Sequence, residues 1–145
     1  DYIAPGLATG DSLIGGLGND SFAYFSISDD SKNTVIVDFD PSDDRILLDL
    51  NGFGLENSSK NSIISNNDFV PVDRGQNYQD SDARDTTPVI IYERARLDQD
   101  GEEIDSGLLK YDPNGTEAND ENNPIVTIAR LNGNPDLDRT DIFII

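Results

Sequence analysis

The 145-residue sequence has no cysteine, no histidine, no tryptophan and no methionine. Without cysteine there can be no disulfide, and the redox compartment cannot be read from thiols. Without histidine and cysteine, the usual nitrogen and sulfur zinc sites are excluded, and so is every histidine-dependent triad or general base. A metal held by this chain must be hard and oxygen-seeking, which points to calcium. Bases are also scarce, with ten Lys and Arg against 29 Asp and Glu, a net charge of -19. Such a balance argues against nucleic acid or an anionic membrane surface as partner, since either would repel the chain. No stretch approaches the roughly 18 apolar residues of a membrane helix, and no charged-then-apolar segment opens the chain. Asp1 stands in mid-pattern, so the chain reads as a processed segment whose parent's activity lies elsewhere.

The length suits one domain with a real core. A charge of -19 also repels itself, and so few bases cannot neutralise it internally. Divalent cations would do so; a merely soluble, halophile-like acidic surface is the plain alternative.

What is present begins with a repeat. Gly15-Gly16-Leu17-Gly18-Asn19-Asp20-Ser21-Phe22-Ala23 aligns with the nine residues before it, Gly6-Leu7-Ala8-Thr9-Gly10-Asp11-Ser12-Leu13-Ile14. Gly6 and Gly15, Asp11 and Asp20, and Leu13 and Phe22 fall in register, whereas Leu7 and Thr9 replace glycines. Beyond Phe22 the texture is β-rich. Short runs of Val, Ile, Tyr, Phe and Leu predict strands over Phe22 to Ile27, Thr34 to Phe39, Arg45 to Leu50, Asn67 to Val72, Pro88 to Leu97, Gly107 to Tyr111, Pro124 to Leu131 and Asp141 to Ile145. The segment from Gly75 to Thr87 lacks regular apolar spacing and reads as the most mobile loop. Leu55 to Ile64 has room for a helical turn or two, and no amphipathic helix is expected elsewhere.

Residues 15 to 23 match G-G-x-G-x-D-x-U-x at every specified position, and in this they resemble the calcium-binding nonapeptide of RTX, or haemolysin-type, proteins. The pattern has a physical basis. Glycines allow a tight turn with positive φ, so that backbone carbonyls face a cation while Asp supplies charge. One turn offers too few oxygens for calcium's about six to eight ligands, so stacked turns must share ions. The candidate ligands are therefore Asp11 and Asp20 with carbonyls of Leu7, Thr9, Gly16 and Gly18. A Gly-rich loop that holds no ion is the bland reading.

The resemblance extends further. Val35-Ile36-Val37-Asp38-Phe39-Asp40-Pro41-Ser42-Asp43-Asp44-Arg45-Ile46 is similar to the segment that follows the last roll turn in C-terminal domains of serralysin-type proteases. In that family an acid of this segment reaches back to a calcium, which implies Asp44 here. Another family acid falls on Thr34, where this chain departs; neighbouring Asn33 is the substitute at hand, and Asn33 and Asp38 count among the weaker candidate ligands. Leu109-Lys110-Tyr111-Asp112-Pro113-Asn114-Gly115, Ile128-Ala129-Arg130-Leu131-Asn132-Gly133, Leu137 and Asp141-Ile142-Phe143-Ile144-Ile145 resemble the ending of RTX proteins in the same order.

The resemblance implies an all-β module spanning 1–145, with short parallel β-roll turns that bind Ca2+ and a closing segment over 1–50. A mostly antiparallel β-rich cap follows over 51–145. It also implies a secreted or cell-surface protein that folds on calcium outside the cell, with upstream RTX repeats or an effector region and the type I secretion machinery as partners. Asp141 with Phe143, Ile144 and Ile145 would form the secretion-signal-like end, although a final core strand would look the same.

Two acidic clusters are weaker candidates. Asp98 and Asp100 lie in a run of alternating acids, but Gly101 is fourth where an EF-hand needs glycine sixth and Leu109 occupies the twelfth place, so this is not an EF-hand. Asp112 and Asn114 belong to Asp112-Pro113-Asn114-Gly115, for which a β-turn outweighs a metal loop. Nothing marks an enzyme: Asp40-Pro41 and Asp112-Pro113 offer bonds for a self-processing module but lack its wider sequence character, and no Trp platform supports a glycosidase. A calcium-organised adhesion or carbohydrate-binding module, with a cell-surface glycan as ligand, is the main alternative. Its binding face would lie at 75–87 or 98–105.

Overall fold

The computed structural model describes residues 1–6, 10–27, 34–94, 99–100, 106–117 and 122–145. Its described residues are mostly strand with almost no helix. Apolar runs of two to seven residues, cut by Gly, Asp, Asn and Pro, are too short for helices and suit pleated strands. The strands are β1 (Tyr2–Ile3), β2 (Ser12–Leu13), β3 (Ser21–Tyr24), β4 (Thr34–Ile36), β5 (Arg45–Leu48), β6 (Ser62–Ile63), β7 (Phe69–Val72), β8 (Val89–Glu93), β9 (Ser106–Asp112), β10 (Val126–Asn132) and β11 (Ile142–Ile144).

Two sheets result, β1-β3-β5-β11-β6 and β2-β4-β10-β9-β8-β7. Strands β1 to β5 alternate between them, and each pairs in parallel with its neighbour in the same sheet. The chain then leaves this winding for about 75 residues and returns to it. β10 lies parallel to β4 and β11 parallel to β5, so the last two strands add one more turn to the same stack. The excursion contributes the antiparallel pairs β8 with β9, β9 with β10 and β6 with β11, and one parallel pair, β7 with β8. Residue 50 is thus no boundary between cores: Phe22, Tyr24, Ile46 and Leu48 from one side of it pack in one cluster with Ile90, Tyr92, Leu109, Leu131, Ile142 and Ile144 from the other.

Register follows period two. Phe22, Ile46 and Ile142 form one inward row, and Tyr24, Leu48 and Ile144 the next. β8 is buried along its whole length because it has a core on each face. Ile90 and Tyr92 enter the main core, while Val89 and Ile91 join Val70, Val72, Tyr78 and Ala83 in a second cluster. This explains its unbroken apolar sequence.

Two expectations change. The segment 75–87 is tied down rather than loose: Tyr78 and Ala83 are buried, the Tyr78 N–H donates to Glu93 (3.1 Å), and its hydroxyl donates to Asp112 (2.6 Å). Two buried anchors with no regular spacing leave no periodic signal. The single α-helical turn, α1 (Leu50–Phe53), also lies earlier than 55–64, where Asp49 caps it by accepting the Gly52 N–H at 2.7 Å.

Candidate metal centre

The turns that link the two sheets lie on two edges. One edge carries residues 14–20, 37–44 and 133–141; the other carries residues 4–6, 10–11 and 25–27. Parallel register aligns Tyr2 with Ser21 and Ser21 with Arg45, so the residues that precede them, Asp1, Asp20 and Asp44, stand side by side at the mouth of one sheet. The backbone ladder continues through them: Ser21 N–H donates to the Asp1 carbonyl (2.8 Å) and Arg45 N–H to the Asp20 carbonyl (2.9 Å).

Asp20 is 3% exposed. Its Oδ1 accepts from the amino group of Asp1 at 2.6 Å, and its Oδ2 is buried without a hydrogen-bond partner. A buried carboxylate oxygen normally has a donor or a cation, because leaving it bare costs about 1–3 kcal/mol or more. The oxygen lies beneath Gly15, where an added Cβ would stand 2.7 Å away, so only glycine leaves it room. Gly16 and Gly18 take φ of 93° and 104°, the left-handed region that the tight turn requires. Leu17 between them is fully exposed and has no role in the core.

Asp44 is buried beside Asp20 but is engaged: its Oδ1 accepts the Asp20 N–H (3.0 Å) and its Oδ2 the Asp40 N–H (2.9 Å). It closes its own turn and joins it to the one before. Asp38 makes a second such bridge, accepting from Gly15 N–H (2.8 Å) and Gly16 N–H (2.9 Å). It was only a weak candidate from sequence, and its spacing gives no hint of this contact because the pairing partner is 23 residues away.

Asp11 lies on the opposite edge. It precedes β2, is aligned with Thr34, and accepts the Gly6 N–H at 2.5 Å, whereas the equivalent Gly15 N–H goes to Asp38 and leaves Asp20 without it. The three aspartates of the sequence pattern therefore divide between two edges, because consecutive nonapeptides occupy opposite ends of the strands. Leu7, Thr9, Asn33 and Asp98 fall outside the described residues. Thr34 is buried, donating to the Ile128 carbonyl (3.2 Å) and bonded to the Tyr24 hydroxyl (2.7 Å).

The weaker candidates are placed as follows. Asp100 is exposed. Asp112 is fully buried with a donor on each oxygen, Tyr78 Oη at 2.6 Å and Asn114 N–H at 3.1 Å. Burial first, and then this carboxylate, push the Tyr78 hydroxyl above its ordinary pKa, so it remains a donor. The turn itself closes from Glu117 N–H to the Asn114 carbonyl (3.1 Å), two residues later than the Pro and Gly positions suggested. Among the described residues no three acidic side chains converge on one point. A cation at Asp20 would therefore have to take most of its oxygen ligands from backbone or water, donors of the kind that hard cations accept.

No protein-family model, no curated protein and no solved structure matches this chain. The reading of the centre rests on its own chemistry. No helix among the described residues is long and apolar enough to cross a membrane.

Proposed function

We propose that this chain is a calcium-binding β-roll module of a secreted RTX-type protein, without enzymatic activity of its own, and that calcium completes its fold outside the cell. The observation that carries the reading is Asp20 Oδ2, an orphaned anionic oxygen in a cradle that glycine alone permits. Its nonapeptide context and the alternation of β1 to β5 between two parallel sheets support the same reading.

Bound calcium would supply positive charge to the bare, buried Asp20 oxygen. The chain's part is to present Asp20 with the carbonyls of the Gly16–Gly18 turn, while Asp38 and Asp44 hold adjacent turns together through their backbone N–H groups. Modules of this extracellular class bind at about 10⁻⁴ to 10⁻³ M, so the cytosol would leave the site empty and the outside would fill it. An export role for the segment 141–145 rests on its resemblance to a secretion-signal end. β11 is a central strand between β5 and β6, with Ile142 and Ile144 fully buried, so secretion machinery can read it only before folding.

Calorimetric titration of the metal-stripped chain with calcium, followed by circular dichroism and with magnesium as control, tests the reading. Saturable calcium uptake with gain of β signal, lost in Asp20→Ala, is expected. A stripped chain that is already fully folded and takes up no calcium would overturn it.

A further inference from the structure

A second feature lies between the outer strand β7 and the 133–141 turn. A chain with 29 acids and ten bases has an excess of partners for every arginine, yet Arg84, Arg94 and Arg139 line one cavity of about 340 Å³. Arg84 is exposed and makes no ion pair or hydrogen bond with any described residue. Arg94 is only partly exposed and its Nε is buried without an acceptor. Its terminal nitrogens reach Asp73 (3.4 Å) and Asp136 (2.8 Å), whose side chains are 81% and 88% exposed and free to swing away. Exposed pairs of this kind hold weakly, at about 0–1 kcal/mol. Arg139 is fixed in place by donating to the Ile64 carbonyl at 2.9 Å.

We infer that this cavity binds a small monoanionic carboxylate that carries hydroxyl groups, a sugar acid. Arg84 offers a fork that matches a carboxylate and that no described residue engages, and the guanidiniums of Arg94 and Arg139 add positive charge on the same lining. The remaining lining decides what else the ligand bears. Asp73 and Asp138 disfavour a dianion such as phosphate, but they are good acceptors for hydroxyls. Asn66 and Thr140 add donors and acceptors on the same rim, and Phe69 with Pro71 provides an apolar floor for the C–H face of a ring. Asp138 stays anionic, held below the usual carboxylate range first by the Thr140 hydroxyl and then by the Thr140 N–H. A neighbouring groove of about 250 Å³ shares Phe69, Pro71, Asp73 and Arg84, so a second sugar unit has somewhere to continue. Pro71 removes an N–H from the outward side of the edge strand, which disfavours an added peptide strand there. Asp138, Arg139 and Thr140 lie in the 133–141 turn, on the same edge as Asp20, but the inference does not depend on the calcium reading, since none of the lining residues is a candidate calcium ligand.

Arginine Nε–Hε resonances of the 15N-labelled, calcium-supplemented chain report the cavity directly. Titration with D-glucuronate or D-galacturonate should shift the signals of Arg84 and Arg94 with a dissociation constant of about 1 mM. D-glucose and acetate should produce at least tenfold weaker effects. Arg84→Gln, which breaks no hydrogen bond or ion pair with a described residue, should weaken uronate binding about tenfold, while Arg130→Gln on the other side of the sheet should not. Absence of shifts with either uronate, or an Arg84→Gln chain that binds as well as the native one, overturns the inference. Equal response to acetate or to glucose 6-phosphate overturns the assignment to sugar acids and leaves a general anion seat.

Discussion

Asp20 and Asp68 are both buried aspartates, and they show two ways of keeping a carboxylate out of water. Asp68, at the foot of β7, is fully buried and surrounded: Asn57 donates from its N–H and its side chain, and Ser58 Oγ donates at 2.6 Å. Asp20 lies in the turn edge with one oxygen held by the chain's amino group and the other bare. The difference follows from the sequence around each. The excursion from 50 to 125 has longer strands, two apolar clusters and side chains able to donate, so it can satisfy its charges internally. The stacked turns have strands of two to four residues and loops of Gly and Asp, which have almost nothing to donate but backbone. The first region is stabilised mainly by burial. The second leaves Asp20 Oδ2 buried with no hydrogen-bond partner among the described residues.

The contrast can be broken from either side. Ile91→Ala in β8 should cost about 2–5 kcal/mol in denaturant unfolding, and by the same amount with or without calcium, since the residue is fully buried in the second cluster, to which β1 to β5 contribute nothing. A calcium-dependent cost would mean the two regions are not separable. Asp68→Ala should cost about 1–3 kcal/mol for each donor left bare among Asn57 and Ser58, again independent of calcium. Asp20→Asn should have the opposite signature. It removes a bare anion, so the stripped chain should melt no lower than native, yet calcium should no longer raise the melting temperature. Gly15→Ala should weaken calcium binding about tenfold by calorimetry, because the new Cβ would displace Asp20 Oδ2, 2.7 Å away.

The smallest effect concerns pH. Burial raises the Asp141 pKa, with Asp138 and Asp136 adding to it, against the acceptor role Asp141 has for the Asp138 N–H. A group whose folded pKa is raised contributes stability that is present below its unfolded value and lost as pH rises through the folded one. Asp141→Asn should therefore raise the melting temperature relative to native at pH 7, and the gain should vanish below about pH 4. A gain that persists in acid would show that charge is not its cause.

Much of this was legible from residues alone. All eight strands read from composition are present, most within a residue or two at their starts, since β-branched and aromatic runs between turn formers have few other options. The Gly15 and Asp20 pairing was legible too, because it is contained within one nonapeptide. Three short strands, β1, β2 and β6, were not read separately: two residues carry no periodicity, and only pairing with a neighbour makes them strands. Asp38 on Gly15 and Gly16, and Asp112 under Tyr78, depend on partners 23 and 34 residues distant, for which a local pattern has no code. The arginine cavity is of the same kind, assembled from β7, the end of β8 and the turn before β11.

By itself the sequence determined the chemistry available: no soft metal ligand, no thiol, an excess of carboxylates, glycines where a turn must go left-handed, and apolar runs too short for helices. Tertiary structure alone decided which carboxylates meet. Successive nine-residue units enter opposite sheets, so Asp11 and Asp20 part company although their repeats are adjacent, whereas Asp20 and Asp44 come together across 24 residues. It also decided that the last strands join the first ones. Parallel neighbours need long connections, and pairing over such distances is governed by which buried faces match, a property of the whole core rather than of any segment of chain.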